Sequence, residues 1–268
     1  MSYVIKADGE REKFDIKKIE KSVLEAGASA ELARETVKKI QKEKYENIST
    51  EKILDVTLKS LKKNRGVARR YDLKRAIMQL GPTGFPFEKY FSLVLKEHGY
   101  DVWVGTTLNG QYITHEIDVI AKKNKKFMIE CKYHNQIGIK TRSKVPLYVY
   151  ARFLDVKKHG FDHPWVATNT KCTNDVINYA KGVNMRITAW DYPEEHSLKR
   201  LITNNKLYPI TVLGGISRIT KEKLFGKNIF LIKSLVETDF NILIKITGFK
   251  DQYLHRIVSE AREILGAK

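Results

Sequence analysis

Cysteine is scarce in this sequence: only Cys131 and Cys172 occur among its 268 residues. Two cysteines are too few for a disulfide framework or for a four-cysteine zinc site, so neither is expected. The sequence also has no apolar run of about eighteen residues, and its first residues contain no apolar stretch of signal-peptide length. We therefore expect a cytoplasmic protein with no membrane partner and no structural zinc.

Biased composition is also absent. Glycine and proline number only 16 and 6, and hydrophobic residues make up 42% of the chain, so neither a fibrous nor a disordered class fits. The phosphate-binding pattern G-x-x-x-x-G-K-[S/T] does not occur, so ATP hydrolysis that drives movement is not expected. A globular chain of this length is expected to form two or three compact units.

Acidic residues are outnumbered by basic ones. Asp and Glu total 31 against 49 Lys and Arg, which gives a formal net charge of +18 and a pI near 9.7. Such an excess favours polyanionic partners, because basic side chains that neutralise phosphates release condensed counterions. Nucleic acid is therefore the first expected partner, and a set of solvated lysine faces is the alternative.

Residues 1–81 are predicted to form a small, mostly helical domain. Residues 3–6 are strand-like, a turn follows them, and Asp15 predicts the N-cap of a helix that ends near Gly27. Ser49 predicts the cap of a later helix. The further helices are predicted at residues 31–40, 50–61 and 68–80.

Residues 82–195 are predicted to form a second domain, because the boundary at residues 81–86 is dense in glycine and proline. Its pattern alternates between helix and strand, which favours an α/β/α sandwich around a mixed sheet. The predicted helices are residues 87–98, 146–158 and 173–180. The predicted strands are residues 100–106, 116–121, 127–131, 164–168 and 186–190.

Residues 196–268 contain an internal repeat. The segments Leu-Gly-Gly-Ile-Ser at 213–217 and Ile-Thr-Gly-Phe-Lys at 246–250 each precede a predicted helix. In both copies an apolar residue lies two positions before the glycine and another lies nine after it. We expect all-α helical hairpins here, so the whole chain is predicted to be an α+β multidomain protein.

A group of polar residues lies on two predicted strands of the middle domain. Asp118 belongs to the run His-Glu-Ile-Asp-Val-Ile-Ala, and Ile-Glu-Cys-Lys brings Glu130 and Lys132 soon after it. Strand alternation puts Glu130 and Lys132 on one side and Cys131 on the other. If the two strands are neighbours, a carboxylate pair and an ammonium group can share one pocket.

This constellation resembles the PD-(D/E)xK nuclease superfamily, and within it the Mrr-like branch of type IV restriction endonucleases, over residues 82–195. The resemblance implies that Asp118 and Glu130 bind the metal and that Lys132 positions or activates the attacking water. It also implies that Glu88, on the preceding helix, completes the catalytic set. Mg²⁺ or Mn²⁺ is the implied cofactor and DNA the implied substrate. Hard oxygen ligands suit these ions, which offset the charge that builds at phosphorus.

The residues around this motif leave alternatives open. The dipeptide before Asp118 is Glu-Ile where the superfamily pattern has proline, so Glu116 could serve as a surrogate carboxylate. Alternatively, Asp118 and Glu130 are solvated strand-end acids paired with nearby lysines. Residues 133–144, which include His134, could line a phosphate track or form a mobile basic loop.

The first domain resembles the ATP-cone, the allosteric nucleotide-binding module of ribonucleotide reductases and of their transcriptional regulator. The resemblance rests on Val-Ile-Lys-Ala-Asp-Gly at 4–9, Phe-Asp-Ile-Lys-Lys-Ile at 14–19 and Ile-Ser-Thr-Glu-Lys-Ile at 48–53. It implies that ATP or dATP binds as an allosteric ligand. The implied nucleotide-binding residues are Lys6 and Lys18 at the phosphates, Val4 near the base, and Asp15 and Thr50 through hydrogen bonds.

One position departs from the ATP-cone pattern. Ala7 stands where the family usually has a second basic residue. The alternative for this domain is therefore a cone kept as a dimerisation or DNA-contact module.

The C-terminal repeats resemble helix-hairpin-helix motifs, which grip DNA phosphates without sequence preference through backbone N–H groups and basic side chains. A glycine in each hairpin would let the backbone approach a phosphate, and a helix N-terminus follows each. The alternative is a pair of helical hairpins that serve only for packing. The implied DNA-binding residues are Gly215, Ser217, Arg218, Gly248 and Lys250.

These features lead us to expect a Mg²⁺-dependent endodeoxyribonuclease of restriction, defence or DNA quality control, with regulation by ATP or dATP as a further expectation. Cutting both strands needs two sites, and ATP-cones often self-associate, so a homodimer or higher oligomer is expected. Two alternatives remain: a non-catalytic regulator that senses nucleotide and binds DNA, and an RNA- or structure-specific nuclease.

Overall fold

A computed structural model of the chain describes residues 2–43 and 46–266. The chain forms two compact units: Met1–Ala76 with Ile210–Lys268, and Ile77–Pro209. The first and last of the three segments distinguished in the sequence therefore belong to one unit. Within the described ranges, no helix is long and apolar enough to cross a membrane.

In residues 2–43 and 46–78, a small sheet is combined with five helices. Strand β1 lies in the middle of this sheet, antiparallel to β2 and parallel to β3. The strands are β1 (Tyr3–Ile5), β2 (Arg11–Lys13) and β3 (Ile48–Ser49). The helices are α1 (Ile16–Glu25), α2 (Ala30–Glu43), α3 (Thr50–Leu61), α4 (Arg65–Tyr71) and α5 (Leu73–Met78).

Local capping explains where these helices begin. The Asp15 carboxylate accepts the N–H of Lys17 at 2.9 Å at the start of α1, and the Ser49 hydroxyl accepts the N–H of Lys52 at 3.1 Å at the start of α3. Both caps were predicted from the sequence. The predicted helix 68–80 is instead divided between α4 and α5, because Asp72 ends α4 and its carboxylate accepts from Arg75 Nε at 2.7 Å.

The second unit is built on a five-stranded mixed sheet with the order β10-β8-β6-β5-β4. Strands β4, β5 and β6 are antiparallel neighbours, whereas β6, β8 and β10 run parallel. The sheet strands are β4 (Asp101–Asn109), β5 (Thr114–Lys122), β6 (Lys126–Lys132), β8 (His163–Thr168) and β10 (Arg186–Thr188). A separate parallel pair comprises β7 (Lys140–Thr141) and β9 (Lys171–Cys172).

Helices cover both faces of this sheet, as the sequence predicted. On one face, Met128 and Val166 belong to a buried cluster that includes Val149 and Val176. Alternation along β8 places Trp165 on the other face, where its ring lies edge-on to Phe91, with ring centroids 5.8 Å apart. The helices of this unit are α6 (Phe85–Glu97), α7 (Lys144–Val156), α8 (Asn174–Gly182) and α9 (Leu198–Asn204).

The C-terminal part of the first unit is helical, with helices α10 (Arg218–Phe225), α11 (Ile232–Glu237), α12 (Phe240–Thr247) and α13 (Asp251–Leu265). In the second sequence repeat, α12 and α13 flank a short turn in which Gly248 has φ of 70°. In the first repeat, a 3-10 turn at Ile210–Val212 replaces the leading α-helix. The two repeats therefore differ in the element that precedes the glycine.

Helix α13 packs against α4 through polar contacts. The Glu263 carboxylate accepts the N–H of Gly66 at 2.9 Å, and the Glu260 carboxylate accepts from Arg69 Nε at 2.8 Å. Arg70 donates to the carbonyls of Ala26 and Ile264 at 2.7 and 2.9 Å. These contacts tie the end of the chain to its first segment, which is why the two belong to a single unit.

Candidate nuclease site

The two principal acids of the predicted site lie on neighbouring strands. In the antiparallel pairing of β5 with β6, Val119 faces Ile129, and the next residues along the ladder are Asp118 and Glu130. The Asp118 carboxylate accepts the backbone N–H of Cys131 at 2.7 Å. The strand pairing thus fixes the two carboxylates side by side.

The surroundings of Asp118 and Glu88 disfavour the ionised, negatively charged forms of these two carboxyl groups. Burial, helped by the nearby carboxylates of Glu130 and Glu88, raises the pKa of Asp118 from 3.8 to about 7. The pKa of Glu88, on α6, is also raised, first by burial and then by Glu116 and Glu130. The structure therefore brings three of the predicted catalytic residues within electrostatic range of one another, and adds Glu116.

Two residues of α7 that sequence analysis missed hold Glu130. The Tyr148 hydroxyl donates to one carboxylate oxygen, and Arg152 Nη1 donates to the other at 2.5 Å. Burial and the bond to Glu130 raise the pKa of Tyr148 well above its ordinary value. Tyr148 and Arg152 are four residues apart and therefore share a helix face. That spacing is the only signal in the sequence that points to them.

Lys132 is the last residue of β6 and, by strand alternation, lies on the same side as Glu130. Among the residues that the structure describes, its ammonium group has no hydrogen-bond or ion-pair partner. The charge of Arg152 lowers the pKa of Asp118. The charge of Lys132 helps to lower the pKa of His134, after the larger effect of burial.

The segment after Lys132 is anchored at its start. The fully buried Asn169 side chain accepts the N–H of His134 at 2.9 Å and donates to its carbonyl at 2.7 Å. The Tyr133 hydroxyl donates to the carbonyl of Met78 at 2.5 Å. These contacts anchor Tyr133 and His134, and both sequence-based alternatives for residues 133–144 stay predictions.

Asp118 and Glu130 offer carboxylate oxygens, the ligand type that suits a divalent cation such as Mg²⁺. Within residues 2–43 and 46–266, no group of three or more His, Cys, Asp and Glu side chains could hold a metal. Asp118 and Glu130 would therefore supply two oxygen ligands, and water or main-chain oxygens would supply the rest, a pattern usual for Mg²⁺. The raised pKa of Asp118 marks a place where a cation would relieve unfavourable negative charge.

The residues predicted to bind nucleotide gather around β1. Val4 faces Glu12 on one side and Ile48 on the other, so β3 brings the start of α3, at Thr50, close to β1. Asp15 already caps α1. The structure thus collects the strand, the helix cap and the start of α3 in one place.

A carboxylate lies between the two predicted phosphate-binding lysines. Glu12 forms ion pairs with Lys6 and with Lys18, the latter at 2.5 Å. These two contacts lower the pKa of Glu12 to about 2. Sequence analysis did not identify Glu12. Its carboxylate is paired with the same two lysine ammonium groups that a nucleotide phosphate would need.

The predicted DNA-binding residues of the C-terminal segment are mostly exposed, but they already have intramolecular roles. Ser217 caps α10, and Arg218, whose side chain is 77% exposed, pairs with Glu222 at 2.8 Å. The Tyr253 hydroxyl donates to the carbonyl of Gly215. Lys250 occupies the N-cap position of α13, after the turn at Gly248, without a side-chain capping bond.

Models of three protein families match the chain, each over one segment. An ATP cone domain matches residues 2–78, a restriction endonuclease domain of the Mrr catalytic type matches residues 82–198, and the AF1548-like C-terminal domain matches residues 208–265. The first two matches confirm the resemblances drawn from the sequence. The helix-hairpin-helix resemblance of the last segment stays a prediction.

An uncharacterised protein of Archaeoglobus fulgidus is 37% identical to this chain over 174 residues, which represent 65% of this chain and 98% of that relative. The crystal structure of AF1548, a protein of unknown function, is 34% identical, with a TM-score of 0.62, and the similarity covers 69% of this chain and 99% of that one. Neither description names an activity.

Proposed function

Because the chain belongs to the AF1548-like family and carries an ATP-cone with an Mrr-type restriction endonuclease domain, we propose that it is a Mg²⁺-dependent endodeoxyribonuclease regulated by ATP or dATP. Restriction, defence or DNA quality control is the proposed setting. The observation that carries the proposal is the pairing of Asp118 with Glu130 on adjacent strands, where the pKa of Asp118 is raised to about 7.

The reaction is hydrolysis of a phosphodiester. Mg²⁺, when bound, would supply Lewis acidity and offset charge at phosphorus. Asp118 and Glu130 would hold the cation, Glu88 would add a third carboxylate within electrostatic range of them, and Lys132 would orient the attacking water. The water oxygen forms a bond to phosphorus, one P–O ester bond breaks, and a proton ends on the departing alcohol.

Lys132 suits this role because its ammonium group has no partner among the described residues of the domain. An unpaired ammonium on the strand that carries Glu130 can donate to a water or to a non-bridging phosphate oxygen without first breaking an ion pair. A preorganised donor of this kind costs no reorganisation when charge develops in the transition state.

Nucleotide control is proposed for the first unit. Lys6 and Lys18 are converging cations, and Val4, Asp15 and Thr50 lie around the same strand. ATP or dATP would act as a ligand that shifts an equilibrium, since it can only favour the conformation that it binds better. Its phosphates would displace Glu12 from the two lysines.

DNA binding is proposed to draw on the large positive charge and on the turns before α10 and α13. Gly215 and Gly248 adopt positive φ angles of 82° and 70°, and Ser217, Arg218 and Lys250 follow them. A homodimer or higher oligomer would place two cleavage sites on one duplex.

One observation favours a second candidate, a DNA-binding regulator without catalysis. Both carboxylate oxygens of Glu130 are occupied by donors of α7, as in a site that no longer needs a metal. Intact Asp118 and Lys132 favour the nuclease instead.

The test is cleavage of supercoiled and linear plasmid with Mg²⁺, Mn²⁺ or EDTA, each with and without ATP or dATP. Glu130→Ala is the site variant, and Glu195→Ala, at an exposed position of the same unit, is the matched control. Metal-dependent cutting that only the first variant loses supports the nuclease. No cutting by the parent protein, with DNA still shifted on a gel, favours the regulator. Competition by RNA distinguishes the two backbones as substrates.

A further inference from the structure

Arg152 occupies an unusual place for a cation in a metal site. Its guanidinium donates to Glu130 at 2.5 Å and lies 3.4 Å from the carbonyl of Glu116. It also lies over the Tyr148 ring, with 5.5 Å between the guanidinium carbon and the ring centroid. The Glu130 side chain is only 12% exposed and that of Arg152 25% exposed. The pair is thus largely shielded from water, but Arg152 keeps an open edge.

This ion pair competes with metal binding. A carboxylate oxygen that accepts a charge-assisted hydrogen bond from arginine is less available as a metal ligand. Arginine stays protonated at any ordinary pH, so the competition cannot be removed by titrating it. Arg152 is therefore the counterion of Glu130 in the metal-free protein.

An Arg152 released from Glu130 would be available to a phosphate group, because its side chain is already 25% exposed. Its planar guanidinium suits the oxygens of a phosphate, which it can contact with two parallel hydrogen bonds. Arg152 also lowers the pKa of Asp118, which places its charge within range of the acidic pair. The acidic cluster therefore has Arg152, in addition to Lys132, as a source of positive charge.

We propose that Arg152 has two positions in the working site: on Glu130 when the metal is absent, and on a phosphate of the DNA when Glu130 holds the metal. The inference rests on the proposed nuclease function and adds a catalytic residue to it. It also makes the α7 pair, Tyr148 and Arg152, part of the machinery and not only of the packing.

The proposal predicts opposite effects on two measurements. In Arg152→Gln, Mn²⁺ should bind about tenfold more tightly, as measured by calorimetry, because the metal no longer has to displace the arginine. A tenfold change in affinity corresponds to ~1.4 kcal/mol, an ordinary magnitude for a partly shielded ion pair. Single-turnover cutting at saturating Mn²⁺ should fall about 10²-fold, the effect typical of losing a donor to the transition state. A residue that only stabilises the fold would not strengthen metal binding.

Three variants complete the experiment. Arg152→Lys keeps the positive charge but cannot form two parallel hydrogen bonds to a phosphate. Its cutting rate should therefore lie between that of Arg152→Gln and that of the parent protein. Tyr148→Phe removes the other donor to Glu130 without changing charge, and should strengthen Mn²⁺ binding by less. Lys181→Gln removes a positive charge from an exposed position on α8 and should change neither measurement. Thermal unfolding checks that each variant is folded.

The outcomes separate this proposal from the nuclease assignment. Tighter Mn²⁺ binding with slower cutting in Arg152→Gln supports both positions of Arg152. If the parent protein cuts DNA and Arg152→Gln binds Mn²⁺ no more tightly, or cuts at the parent rate, the proposal for Arg152 is overturned while the nuclease stands. If the parent binds Mn²⁺ but cuts no DNA, the nuclease assignment fails, and with it the phosphate-bound position of Arg152.

Discussion

An Asp118→Asn substitution keeps the shape of the side chain and an oxygen that can accept the N–H of Cys131, but it removes a charge that the fold disfavours. The pKa of Asp118 is 3.8 in an unperturbed chain and about 7 in the folded protein. Below pH 3.8 the carboxyl group is protonated in both states and does not change the free energy of unfolding. Between these pH values only the unfolded chain ionises, so stability falls as pH rises.

Above pH 7 the penalty is fully present. A difference of about three pKa units corresponds to about 4 kcal/mol at ~1.4 kcal/mol per unit, and relaxation around the charge makes this an upper bound. Asp118→Asn should therefore stabilise the metal-free protein by about 2–4 kcal/mol at pH 8, with almost no effect near pH 4. The same substitution removes a proposed metal ligand, so cutting should be lost.

The assay is urea unfolding in EDTA at pH 4 and pH 8. All three tryptophans, at positions 103, 165 and 190, belong to the unit that contains Asp118, so tryptophan fluorescence reports the unfolding of that unit. Asp101→Asn, an exposed position at the start of β4, is the control and should change stability by less than about 0.5 kcal/mol. An equal effect of Asp118→Asn at both pH values would refute the reasoning.

Two further predictions concern a tight turn and the nucleotide site. Gly110→Ala should destabilise the second unit by about 2 kcal/mol or more, since an added Cβ would overlap the Asp155 carboxylate and lie 2.5 Å from a backbone oxygen. Urea unfolding followed by tryptophan fluorescence measures the loss of stability, and an unchanged unfolding midpoint would contradict the prediction. The double substitution Lys6→Ala with Lys18→Ala should weaken ATP binding, measured by calorimetry, about a hundredfold. Lys17→Ala, at an exposed neighbouring position on α1, is the control and should leave ATP binding unchanged. Equal losses of affinity in the double variant and in the control would count against the proposed nucleotide site.

Several elements could be predicted because each of them follows from a local pattern, whereas the short strands β3, β7 and β9 were not predicted. The helix predicted at 50–61 coincides with α3, whose cap Ser49 was also identified. Asp118 and Glu130 could be paired in advance because the short turn between β5 and β6 makes those strands antiparallel neighbours. Local periodicity thus located the two strands, and their pairing brought Asp118 and Glu130 together.

The partners of these acids could not be predicted in the same way. Tyr148 and Arg152 lie 18 and 22 residues from Glu130 in sequence. Their contact depends on which face α7 turns toward the sheet, whereas the apolar pattern indicates only which residues are buried. Glu12 escaped notice for a related reason: its two lysines come from β1–β2 and α1, and only their packing places the carboxylate between them.

Residues 1–76 and 210–268 pack into one unit, and this packing bears on the proposed regulation by nucleotide. One carboxylate oxygen of Glu260, on α13, accepts both Arg69 Nε of α4 at 2.8 Å and the N–H of Gly214 at 3.1 Å. Gly214 begins the turn proposed to approach DNA phosphates, and α4 belongs to the ATP-cone. Any movement of α4 on nucleotide binding would therefore act on that turn through Glu260, whose side chain is only 14% exposed. In this arrangement nucleotide would first affect how the protein holds DNA, and cutting only as a consequence.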